Sequence, residues 1–195
     1  MNLKYYRVSF LIPVIALSWL AASYLLKKYA WPNDLLQGLG PGAVVLGLLT
    51  LYDLFMWKWP VLCWLNTVPN LNGAYSGNIQ FNRTGEDEEI DCTLTVKQTC
   101  SKIKITSSFT KEHENSTRST SFEAFIATDE VGDQTLYFYY HNPGSCMSGD
   151  TLDAHDGMNV LRIKQDKEGT TLDGYYFTNR SPEQTKGCMK ASKPN

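Results

Sequence analysis

The amino-acid sequence predicts a membrane-anchored all-β protein: two N-terminal transmembrane helices followed by an eight-stranded antiparallel β-barrel. Three observations carry this expectation. Two uncharged, apolar runs, residues 8–26 and 35–52, lie near the start of the chain. A stretch rich in tryptophan and proline, WKWPVLCWLNTVPNLNGAYSG at residues 57–77, follows them. Beyond it, apolar and polar residues alternate with period two in eight segments of strand length. The expected organisation is a two-helix transmembrane hairpin over residues 1–56, an interfacial joint over 57–72 and a soluble β-barrel over 73–195.

Charge divides at the same place. The ionisable residues through residue 72 sum to about +3, and those from residue 73 onward to about −5. The 195-residue chain has a soluble-looking mean hydropathy of −0.29 only because it averages the two halves. Its 5 cysteines form an odd set without a CxxC pair. That usage fits buried, reduced thiols better than a disulfide framework and favours a cytoplasmic barrel. Asn-x-Ser/Thr triplets at Asn82, Asn115 and Asn179 would suit a secreted interaction domain instead, but such triplets arise by chance in Ser/Thr-rich strands.

The first run, VSFLIPVIALSWLAASYLL, spans about 28 Å as a helix, close to the hydrocarbon thickness of a bilayer. Lys4 and Arg7 flank one end, Lys27 and Lys28 the other. A signal peptide would have a shorter apolar core and a small-residue cleavage site. In the second run, Gly38, Gly42 and Gly47 thin one side, and the Gly38/Gly42 spacing lets helices approach closely. Pro13 and Pro41 should each bend their helix. Asp53 is read either as an interfacial carboxylate paired with Lys58 or as a polar contact in helix assembly. The short link between the runs puts both ends of the hairpin on one side. Lys4, Arg7 and Lys58 then lean that side to the cytoplasm of a bacterial inner membrane.

Trp57, Trp59 and Trp64 around Lys58 are a headgroup-level signature, and Pro60 and Pro69 forbid one helix through the joint. The first strand sets Tyr75, Gly77, Ile79 and Phe81 on one face. The second sets Ile90, Cys92, Leu94 and Val96 together, and the third Ile103, Ile105, Ser107 and Phe109. Further strands are expected near 117–127, 135–141, 158–165, 171–178 and 186–191, with a hairpin turn at 166–169. Eight meandering strands commonly close on themselves, enclosing packed side chains or one small ligand. A two-sheet sandwich is the alternative. The outer faces are too polar for a membrane barrel.

No catalytic constellation emerges, so no enzyme, cofactor or metal site is expected. His113, His141 and His155 lie on separate segments. The acidic segment 149–156 lacks the ligand register and closing glutamate of a calcium loop. No phosphate loop or nucleophile elbow is present. Tyrosine-rich segments at 137–140 and 175–177, beside few arginines, suit a small phosphate-bearing ligand with bases to stack. The acidic balance argues against long nucleic acids. Candidate contacts are Tyr75, Ser107, Arg118, Thr120, Tyr137, Tyr139, Tyr176, Thr178 and Arg180. Each tyrosine also has the plainer reading of an ordinary strand residue. Gly38, Gly42, Gly47 and Asp53 are candidates for association of the transmembrane helices. A membrane-anchored, lipocalin-like barrel for a small apolar ligand is the rival reading.

Two membrane helices, a Trp/Pro joint and a polar barrel, in that order, resemble the two-transmembrane, β-strand-rich effectors of CBASS, a bacterial anti-phage system (CD-NTase-associated protein 15). The likeness extends to Trp59-Pro60, to residues 69–77 (PNLNGAYSG), 98–103 (QTCSKI), 136–140 (LYFYY) and 172–180 (LDGYYFTNR). The resemblance implies that the barrel binds a cyclic dinucleotide. It further implies that the transmembrane helices then self-associate, disrupt the inner membrane and kill the infected cell before phage release. No ligand contact carries over residue by residue from these short, degenerate stretches.

Overall fold

A computed structural model describes residues 3–28, 34–83, 86–110, 117–144, 154–180 and 184–194. Side chains at 34–39, 82, 83, 86, 87, 117 and 194 lie outside the description, as do His113, Asn115, Cys146 and the acidic segment through residue 153. The chain divides into two compact units.

The first unit comprises Met1–Asn70 with Thr99–Lys102. Its helix α1, Val8–Lys28, is long and apolar enough to cross a membrane. Ile12, Leu17 and Leu20 are each more than 60% exposed, an apolar surface unsuited to water. Helix α2, Asp34–Leu54, breaks at Gly40, where φ is 61° and ψ 169°. Proline disfavours helical geometry in the residue before it, and Pro41 follows. Beyond the break the uninterrupted apolar helix is Gly40–Leu54, shorter than a full span. Among the described residues α1 is thus one clear candidate for a full span, and α2 contributes a shorter apolar helix.

Near the ends of these helices the unit carries a partly buried polar collar. Tyr6 Oη donates to Asp53 Oδ1 at 2.9 Å, and Asn66 Nδ2 donates to the Trp57 carbonyl and the Tyr52 hydroxyl, both at 3.1 Å. The backbone N–H of Cys100 donates to the Asp53 carbonyl at 2.9 Å. Trp57 is buried here, whereas Trp59 and Trp64 are exposed. Only two of the three joint tryptophans are thus available to a headgroup layer.

The second unit, Leu71–Gln98 with Ile103–Asn195, is the barrel. Its strands are β1 (Gly73–Arg83), β2 (Glu86–Gln98), β3 (Ile103–Thr110), β4 (Thr117–Thr128), β5 (Gln134–Asn142), β6 (His155–Gln165), β7 (Gly169–Thr178) and β8 (Lys186–Pro194). Each pairs antiparallel with the next, and β8 pairs with β1 to close the barrel. The period-two pattern dictates this, because one face of every strand is apolar or small and buried. The 166–169 turn is held by Asp166, whose Oδ1 accepts from the N–H groups of Glu168 and Gly169 at 2.9 and 3.0 Å.

One irregularity resets the pattern. Between Ser121 and Glu123 the register of β4 slips by one residue against β5. The extra residue, Phe122, stands 71% exposed. Ser119 and Ser121 face inward before this bulge, and Ala124 and Ile126 turn inward after it.

Candidate ligand-binding site

The barrel interior is not uniform along its axis. At the end where β1 starts it is filled by Leu71, Tyr75, Leu94, Val96, Ile105, Ile126, Leu136, Leu161 and Leu172, all buried. Two polar groups close this end. Gln98 Oε1 accepts from the Leu71 N–H at 2.8 Å, and Tyr75 Oη donates to the Leu71 carbonyl at 3.0 Å. The Lys193 ammonium lies 5.4 Å from the Tyr75 ring centroid and donates to the Asn72 carbonyl at 2.7 Å. This half is a packed core.

Toward the opposite, distal end several inward positions on β3 to β7 are small and polar, interleaved with Phe138, Tyr140 and Tyr176. Ser107, Ser119, Ser121, Asn142, Asn159 and Thr178 are all buried there. Some of their hydrogen-bonding capacity is committed: Ser121 Oγ accepts from the Ile105 N–H at 2.8 Å, and Asn142 Oδ1 from the Gly144 N–H at 2.9 Å. Thr178 Oγ1 accepts from the N–H groups of Arg180 and Thr185 at 3.4 and 3.3 Å. Ser119 Oγ and Asn159 Oδ1 have no hydrogen-bond partner among the described residues, although these residues are only 1% and 2% exposed. Leaving such atoms unpaired in a protein interior costs about 1–3 kcal/mol each, a cost that a water or a polar ligand group relieves.

Two tyrosines share this half and lie along its wall. A side chain at Gly157 would collide with the phenol end of Tyr140, and one at Gly187 would meet Tyr176 Cε1 at 2.9 Å. Gly157 is the register partner of Tyr140, and Gly187 that of Tyr176. Each ring therefore rests on a glycine of the neighbouring strand. Glycine removes the obstacle that would push the ring into the lumen. The faces left toward the lumen are platforms on which a planar base can stack.

Arg180 follows β7 by two residues, at the distal mouth. Burial pushes the Tyr140 phenol up to about 12, and the Arg180 guanidinium pulls against that shift. Burial also raises Tyr176, and Arg180 again opposes the shift. One cation therefore senses both rings. The backbone leading to it is pinned: Asn179 Oδ1 accepts from the Asp156 N–H at 2.8 Å and the Asn179 N–H donates to the Asp156 carbonyl at 2.9 Å. Outside the wall, the Asp156 carboxylate meets His141 Nδ1 at 2.8 Å, and this contact, then Tyr139, holds its pKa below the ordinary value.

A cleft of about 790 Å³ opens at this end, bounded by inward-facing Phe81, Tyr176 and Gly187 and continuing over the rim to Tyr175, Phe177 and Lys186. Its volume is in the range of small-molecule sites. It shares only Tyr176 and Gly187 with the polar interior described above.

Of the residues singled out from the sequence, Ser107, Tyr176, Thr178 and Arg180 lie in or at the mouth of the polar half. Tyr75 faces inward in the apolar half. Arg118 and Thr120 take the outward register of β4. Tyr137 and Tyr139 take the outward register of β5, where Tyr137 stacks on Phe125 at 5.1 Å and Tyr139 on Phe122 at 6.1 Å. Ser119, Ser121, Tyr140, Asn142 and Asn159 join the interior set without having been singled out. In the first unit, a Cβ at Gly42 would sit 3.3 Å from the Trp19 ring of α1, whereas Gly47 faces open space. Gly38 is among the residues whose surroundings lie outside the description.

Among the described residues no group of three or more His, Cys, Asp or Glu is placed to hold a metal. Residues 66–193 match the family model of Cap15, cyclic dinucleotide receptor domain. CD-NTase-associated protein 15 of Yersinia aleksiciae is 26% identical over 187 residues, covering 95% of this chain and 84% of that protein. The family match takes in all eight strands and the polar half they enclose. By this match, the chain belongs to the Cap15 cyclic dinucleotide receptor family.

Proposed function

We propose that the chain is a cyclic-dinucleotide-gated membrane effector of CBASS anti-phage immunity, and that the ligand sits in the distal, polar half of the barrel. One observation carries the reading: half of the interior is packed with leucine and isoleucine, and the other half presents polar atoms without a partner among the described residues, two tyrosine faces and an arginine at its mouth. An apolar ligand, the lipocalin-like alternative, would leave those atoms unpaired. A dinucleotide with two phosphodiesters offers base faces to Tyr140 and Tyr176 and charge to Arg180.

On the membrane side, α1 and α2 form a two-span hairpin in a bacterial inner membrane, with the N-terminus and barrel in the cytoplasm. The flanking Lys4, Arg7 and Lys58 support that orientation. Ligand capture promotes association of transmembrane helices from several copies, the inner membrane is breached, and the infected cell dies before phage are released. Gly47, open in the single chain, is the better candidate for contact between copies, because Gly42 is occupied by Trp19 of its own chain. The test is dye release from vesicles carrying the purified full-length chain. Cyclic dinucleotide should trigger release, and a chain with bulky residues at Ser107 and Ser119 should not respond. Nucleotide binding without release would remove the membrane-disrupting step.

A further inference from the structure

We infer that the ligand enters the barrel base first, with Asn159 reading the edge of the inserted base and Arg180 holding phosphate at the mouth; this rests on the proposed ligand class. Asn159 sits two residues deeper than Gly157, and Gly157 is paired with Thr178, two residues before Arg180. Asn159 thus lies two residues of strand rise, about 7 Å, below the level of Thr178, and Arg180 lies beyond the end of β7. Tyr140, paired with Gly157, lies between them, and Tyr176, paired with Asn159, stands at the deep level. Oδ1 of Asn159 is an acceptor without a partner among the described residues. An acceptor oxygen facing a phosphate oxygen would repel it and leave both desolvated. A base edge instead offers amino or imino N–H donors that satisfy such an atom. Ser119 Oγ, also unpaired, can donate or accept and supplies a second polar contact for the deep end. The charge-bearing part of the ligand is left at the level of Arg180, the cation that already senses the two phenols.

The arrangement separates two roles that mutation can tell apart. A base-edge reader changes which base is preferred, whereas a phosphate contact weakens all ligands alike. Full-length protein in detergent is titrated calorimetrically with cyclic dinucleotides of adenine, guanine and uracil. Asn159→Leu, close in shape, should lower affinity for the best ligand roughly ten- to a hundred-fold and compress the ranking among bases. The same variant should melt about 2–5 °C higher when empty, because it removes an unpaired buried acceptor. Arg180→Ala should weaken every ligand by a similar factor and preserve the ranking. Asn159→Ala serves if the leucine variant does not fold, with the same loss of ranking expected. The inference is overturned if Asn159 variants keep wild-type affinity and ranking, or lose affinity equally for all bases. A wild-type protein that binds none of the three overturns the proposed function itself, a different outcome.

Discussion

Arg180→Ala is the perturbation whose consequences the geometry specifies most fully. A guanidinium contact to a phosphodiester is charge-assisted and contributes about 1.5–3 kcal/mol. Because the residue lies at the mouth and is half-exposed, solvent screening favours the lower part of that range. Affinity for a cyclic dinucleotide should therefore fall roughly ten- to thirty-fold. The salt dependence should change with it, because one fewer cation meets phosphate: the slope of log K against log salt should become shallower by about 1. Stability should hardly move, with a melting shift within about 2 °C, since no packed core is opened. The Tyr140 and Tyr176 phenols, relieved of the cation that lowers them, should titrate at still higher pH. Arg180→Lys, which keeps charge and loses the planar fork, should fall between wild type and alanine. Calorimetric titration at several salt concentrations, with a thermal melt of the same samples, reads all of this. Unchanged affinity and unchanged salt slope would remove Arg180 from the site.

Other consequences follow from the same structure. Burial pushes the Tyr75 phenol up to about 12 from an ordinary value near 10. A raised phenol contributes stability that is full below about pH 10 and lost as pH rises toward 12, about 3 kcal/mol in all. Urea unfolding at pH 7 and pH 11 should show about half of this loss, roughly 1.4 kcal/mol, from Tyr75 in wild type and none from that position in Tyr75→Phe, which at pH 7 is weakened by about 1 kcal/mol through loss of the bond to Leu71. The Asp156 carboxyl is held below its ordinary value by His141, so its contribution is present above about pH 4 and lost as pH falls through the folded value. Melting temperature against pH should accordingly show a shallower acid limb in Asp156→Asn. In the membrane unit, Gly42→Leu should disturb the packing of α1 on α2 by displacing Trp19, whereas Gly47→Leu should leave each chain intact and reduce cross-linking between copies. Equal cross-linking in wild type and Gly47→Leu would move the association surface elsewhere.

The strand order was legible in the sequence because closure makes every strand half-buried, and half-burial writes period-two alternation into the residues themselves. The facing of individual side chains was harder. Tyrosine density drew attention to Tyr137 and Tyr139, yet on β5 the inward register belongs to Leu136, Phe138, Tyr140 and Asn142. The β4 bulge hides its own parity, since an extra Phe122 inside an apolar-looking stretch leaves no mark that alternation can resolve. Asn159 is flanked by Met158 and Val160, and only its pairing with Phe138 and Tyr176 reveals it as an interior polar residue. The acidic start of β2, from Glu86 onward, lies ahead of the stretch from Ile90 that alternation marks, because four carboxylates in succession oppose strand propensity. Pairing with β1 overrides that preference. In the membrane half, Gly40-Pro41 carried a signal for a break, but its cost to the length of α2 appears only in the backbone geometry.

The central claim is that the polar half of the barrel is a nucleotide receptacle, and the most direct measurement is binding with that half filled. Full-length protein in detergent is titrated with a panel of cyclic dinucleotides, beside a Ser107→Leu/Ser119→Leu variant whose fold is checked by circular dichroism. The account predicts saturable binding of at least one ligand by the wild type and none by the folded double variant. Equal binding by both would place the ligand elsewhere and contradict the account.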